Sequence, residues 1–129
     1  MEHVFGLEIG DWASDGHCVT KTRIVKCTHS CNDVIEAHKK LKSKGLDLTE
    51  ECEEYGQTRL SSEFVDKLKE LFTDPIKKFN LEERNGYVWL NYDSFAKFYM
   101  NLAATEIDGL EYKFITLPSI SIGGYGFFE

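Results

Sequence analysis

Apolar residues alternate at Phe5, Leu7 and Ile9, and this period of two predicts a strand over residues 3–9. A longer run rich in Val, Thr, Ile and Cys predicts a second strand over 17–27. Between the two lies Asp15-Gly16, a common hairpin pair because both residues tolerate positive φ. The period then changes to that of a helix. Val34, Ile35, His38 and Leu41 share one face of a helix over about 33–44, with Ser30 or Asn32 as its cap and Gly45 as its left-handed stop.

The acidic stretch 46–58 has no single period and fits a loop, a short helical turn or both. Ser61 or Ser62 caps a second helix that runs to Phe72, with Phe64, Val65, Leu68, Leu71 and Phe72 as its apolar stripe. Pro75 breaks it or starts another turn through Ile76 and Phe79. Asn85-Gly86 predicts a turn and Tyr87–Leu90 a short strand. Asp93 or Ser94 caps a third helix whose buried side is Phe95, Phe98, Tyr99 and Leu102. Asp108-Gly109 turns the chain into a last extended run, Glu111 to Ile122, which Pro118 interrupts.

The resulting order is β-β-α-α-β-α-β. It predicts one α+β domain over residues 1–129, a mostly antiparallel sheet with about three helices on one face. Apolar residues make up 42% of the chain and aromatics 13%, which excludes a disordered segment. No apolar run reaches the ~20 residues of a membrane span, so no membrane partner is expected. The start Met1-Glu2-His3-Val4-Phe5 lacks the pattern of a secretory signal. The expected setting is therefore the reducing cytoplasm, with Cys18, Cys27, Cys31 and Cys52 as free thiols.

The net charge of −7 argues against general nucleic-acid binding and would steer a basic partner. The charge is uneven: Lys39, Lys40, Lys42 and Lys44 precede Asp47, Glu50, Glu51, Glu53 and Glu54. Such adjacent blocks read first as solvated faces that partly neutralise each other.

The densest polar chemistry lies in Gly10-Asp11-Trp12-Ala13-Ser14-Asp15-Gly16-His17. As a calcium loop it fails, because Ala13 and Thr22 stand where oxygen ligands are required. A capped turn explains most of it, with Asp11 accepting backbone N–H groups and Trp12 folded on the sheet. Cys27-Thr28-His29-Ser30-Cys31, with His17 upstream, offers zinc-type donors, but Cys-x-His-x-Cys lacks a knuckle's spacing. No metal or other cofactor is favoured; His17, Cys27, His29 and Cys31 are the weak metal candidates. Gly123-Gly124-Tyr125-Gly126 has no P-loop lysine and reads as backbone that must bend.

One short echo stands out. Leu7-Glu8-Ile9-Gly10 and Trp12 are matched by Ile120-Ser121-Ile122-Gly123 and Tyr125. Were the terminal strands neighbours, both glycine–aromatic ends would border one cleft. The reading that follows is an acidic binding module for a protein or small ligand, using Asp11, Trp12, Asp15, His17 and Tyr125 together with its aromatic surface. The alternative is a small enzyme or metal-binding domain in which His17 is the general base and Asp15 orients it, with Asp11 beside them. Whether the chain is an enzyme at all is left open by these residues.

Overall fold

A computed structural model describes residues 2–12, 18–48, 52–54, 57–118 and 120. For residues 10–12, 18–21, 52–54, 57 and 58 it describes the backbone alone. Among the described residues the chain forms seven strands and four helices. In chain order these are β1 (His3–Trp12), β2 (Cys18–Cys27), α1 (Cys31–Ser43), β3 (Cys52–Glu54) and β4 (Gln57–Leu60), then α2 (Ser62–Leu71) and α3 (Pro75–Lys78). β5 (Glu82–Arg84), β6 (Tyr87–Leu90), α4 (Tyr92–Glu106) and β7 (Tyr112–Ile115) complete the fold. The class is α+β and every strand pairing is antiparallel. The strands divide into two sheets, ordered β1-β2-β7 and β3-β4-β6-β5.

The second sheet is nested in the first. Its strands all fall within residues 52–90, whereas the first sheet joins residues 3–27 to residues 112–115. β2 separates β7 from β1. Ser121, Ile122, Gly123 and Tyr125, which carry the second half of the echo, lie outside the described residues.

Local chemistry explains the helix limits. Ser30 Oγ accepts from Asp33 N–H at 3.1 Å while Ser30 N–H donates to Asp33 Oδ2 at 3.3 Å, a reciprocal capping box. α1 stops where Gly45 takes φ +96°, with Gly45 N–H donating to Lys42 O and Leu46 N–H to Leu41 O. These two bonds satisfy orphan carbonyls of the last turn. Ser61 caps α2 through Phe64 N–H at 3.1 Å. α4 starts earlier than Asp93 or Ser94 would have it. Asn91 is the cap, its Oδ1 accepting from both the N–H and the hydroxyl of Ser94.

Asn85 and Gly86 both have positive φ, 54° and 83°, and close the β5–β6 hairpin. The Glu-Glu-Arg of β5 has low strand propensity and is held by that turn and by pairing with β6. The stretch 46–58 is anchored by buried Leu46 and Leu48, and its later part supplies the β3–β4 hairpin. Among the described residues the last extended run is regular over Tyr112–Ile115, short of Pro118.

Two apolar cores result. The larger gathers Leu41, Leu46, Leu60, Phe64, Leu68, Phe79, Val88, Leu90, Phe98 and Leu102 under the second sheet. The smaller packs Val25 and Cys27 of β2 against Val34 and Ala37 of α1 and Met100 and Ala103 of α4. α4 serves both, with Phe98 and Leu102 in one core and Met100 and Ala103 in the other. A helix buried on two sides must be apolar around most of its circumference, as Ala96, Phe98, Met100, Leu102 and Ala103 are. No helix among the described residues is long and apolar enough to cross a membrane.

Candidate functional site

Antiparallel register sorts the side chains of the second sheet onto two faces. Leu60, Val88 and Leu90 point into the core. Arg59 stands opposite Trp89, which stands opposite Glu82, while Arg84 pairs with Tyr87. Alternation then places Arg59, Tyr87, Trp89, Glu82 and Arg84 together on the outer face. Tyr87 is 43% exposed and Trp89 is half-buried.

Each aromatic ring on this face has an arginine over it. The Arg59 guanidinium carbon lies 4.7 Å from the Tyr87 ring centroid, and that of Arg84 lies 5.5 Å from Trp89. Such cation–π pairs hold both partners in place while leaving polar edges in water. The Trp89 indole N–H donates to Arg84 O at 3.4 Å, and Arg84 Nε lies 2.9 Å from Glu82 Oε1. The result is an ordered polar–aromatic surface. The outer face of the first sheet differs: one register row runs Gly6, Ile24 and Ile115, and the next carries Val4, Lys26 and Lys113.

A cleft of about 440 Å³ opens where β2 meets the start of α4, lined by Thr22, Arg23, Asn91, Tyr92 and Asp93. Arg23 Nη1 lies 3.4 Å from Asp93 Oδ1, and its guanidinium sits 5.0 Å from the Phe114 ring centroid. The cationic and anionic groups of this cleft are thus already matched to each other.

The residues singled out from the sequence are distributed differently. Asp11 and Trp12 belong to β1, paired with Val19 and Cys18, so strand pairing runs further than the expected loop at 10–17. Their side chains, and Asp15, His17 and Tyr125 entirely, lie outside what the structure describes. Cys27 is fully buried, and its sulfur accepts from His29 N–H at 3.4 Å. His29 Nδ1 is 3.1 Å from Thr28 Oγ1, whereas Cys31 is exposed at the first turn of α1. Among the described residues no group of three His, Cys, Asp or Glu side chains converges to hold a metal ion.

The face of the second sheet was open to detection in Tyr87-Val88-Trp89-Leu90. Both sets of alternate positions there are apolar or aromatic, so one set faces the core and the other needs a second purpose. Arg59 and Arg84 carry no such local signal, because only strand register brings them to the aromatics.

His38 is the clearest perturbed base. It stacks on Tyr99 with ring centroids 3.7 Å apart, and its Nε2–H donates to Tyr99 O at 2.9 Å. Burial pulls its pKa below 6.5, outweighing the carbonyl hydrogen bond, which favours the charged ring. Burial, and then the nearby Cys31, push the Tyr99 hydroxyl pKa up from its ordinary value. His38 is thus held neutral in the folded chain, and the stability this contributes is complete above pH 6.5, the unfolded value. It is lost as pH falls from there toward the lowered folded value. In urea titrations His38→Gln, which keeps a donor and cannot titrate, is expected to flatten the loss of stability between pH 6.5 and pH 5. Parallel pH profiles for the two proteins would refute this assignment.

In comparisons with known proteins, no protein family, no curated protein and no solved structure matches this chain.

Proposed function

We propose that the protein is a binding module that engages a protein partner through the outer face of its second sheet. The observation that carries this reading is the pair of arginine–aromatic contacts, Arg59 on Tyr87 and Arg84 on Trp89, on a face covered by no element of the described chain. Trp, Tyr and Arg are the residue types that dominate binding energy at protein interfaces. Here they are held before any partner arrives, which lowers the entropy cost of docking. Two sheets with helices on their inner sides give this surface a rigid support. A reducing compartment such as the cytoplasm suits the free thiols of Cys27 and Cys31.

The test is cross-linking of the tagged full chain in its source cells, with capture compared across variants. Trp89→Ala is expected to weaken capture of a defined partner by about 2 kcal/mol, roughly thirtyfold in affinity, with thermal unfolding still cooperative. Tyr87→Ala is expected to act in the same direction. Trp12→Ala reports separately on the 10–17 end of the first hairpin. Undiminished capture by both sheet-face variants rejects this face as the contact surface.

A further inference from the structure

We propose that the outer face of the second sheet takes an acidic segment of its protein partner, with a carboxylate of that segment seated on Arg59. This rests on the binding reading above and adds the chemistry of the occupant. The argument is one of charge. Among the described side chains on this face, Arg59 and Arg84 are cationic and Glu82 alone is anionic. Glu82 is engaged with Arg84 at 2.9 Å. Arg59 makes no ion pair among the described residues and lies over the Tyr87 ring.

A guanidinium over an aromatic ring keeps its N–H donors in its own plane, where the ring does not cover them. That planar fork matches the two oxygens of a carboxylate. Tyr87 and Trp89 beside it supply flat apolar area for an aromatic or aliphatic neighbour of the acid.

Two features restrict how the segment lies and what it is. The exposed edge strand β5 is Glu82, Glu83 and Arg84, a charged edge that resists addition of another strand. The occupant therefore crosses the face and does not extend the sheet. Stacked bases would also suit Tyr87 and Trp89, but a nucleic acid brings a continuous line of phosphates to a chain of net charge −7. A short acidic segment brings its charge only to the arginines.

The experiment is an amide-resolved NMR titration of the labelled full chain with three probes. These are a short peptide in which Asp and Glu flank one Phe, the same peptide with Asn and Gln replacing the acids, and oligothymidylate. The acidic peptide is expected to shift the amides of Arg59, Tyr87 and Trp89 saturably, and to bind at least roughly tenfold tighter than its neutral counterpart. Arg59→Gln should weaken it by roughly tenfold or more. Arg59→Lys, which keeps the charge and loses the fork, should fall between, and its folded spectrum guards against a trivial loss. Equal binding of the neutral peptide at these amides overturns the acidic occupant and leaves the binding face standing. Preference for oligothymidylate overturns the acidic occupant and the protein-partner reading together. Absence of shifts at these amides with every probe overturns the acidic occupant, while partner capture judges the face independently.

Discussion

Replacing Phe98 with alanine is expected to lower stability by about 3–5 kcal/mol. Phe98 is 1% exposed and lies at the centre of the larger core. Its ring meets Phe79 edge-on at 5.4 Å and Phe64 at 6.1 Å, one neighbour beyond α3 and the other from α2. Phe72 extends the same array through Phe79 at 5.3 Å. Removing the ring therefore leaves a void whose walls come from separate elements and cannot collapse together. For a domain of this size the melting temperature should fall by roughly 10–20 °C. Calorimetry measures this directly, and a fall of only a few degrees would show that the aromatic array repacks.

Met100→Ala is expected to cost about 2–5 kcal/mol and to act on the other core. Met100 is fully buried against Val25, Cys27 and Val34, two residues along α4 from Phe98. Both cores depend on the same helix, so each substitution should move one common unfolding transition. Each sheet has a tryptophan of its own, Trp12 in β1 and Trp89 in β6. Fluorescence of Trp12→Phe and Trp89→Phe backgrounds thus follows the two sheets separately. Coincident denaturant curves are expected in both Met100→Ala backgrounds; separated curves would mean that the sheets unfold as independent units.

The local parts of the fold are legible where one residue sets the backbone. Ser30, Gly45, Ser61 and the Asn85-Gly86 pair each mark a boundary that the structure confirms in its hydrogen bonds or its φ angles. α1 shows the limit of periodicity. Val34 and Leu41 are buried as their spacing requires, but Ile35 is 43% exposed and the third inward position is Ala37. An alanine facing a close helix neighbour gives little hydrophobic signal, yet it fits the approach of α1 to α4.

The division into two sheets is not local information. Nothing in Glu82-Glu83-Arg84 says strand, and nothing in Tyr112–Ile115 says that its partner is β2 rather than β6. Those choices are made by pairing across long stretches of chain, where packing decides and propensity does not. The same holds for the candidate site. Trp89 is conspicuous in the sequence as one of two tryptophans, but Arg59 reaches it across thirty positions and only through register. The dense polar stretch at 10–17 drew attention by composition, whereas the sheet face is assembled from residues that are ordinary one by one.

The nesting of one sheet inside the other has a consequence for a chain made from its N-terminus. Every strand of the inner sheet is available once residue 90 has been synthesised, but the outer sheet waits for residues 112–115. α4, which both cores need, is translated in that interval. Until then the β1–β2 hairpin has a vacant hydrogen-bonding edge on β2 and an apolar side that α1 covers without α4, the condition in which strands pair with the wrong neighbour. On the ribosome, the vulnerable period of this protein is thus set by the distance along the messenger between β2 and β7.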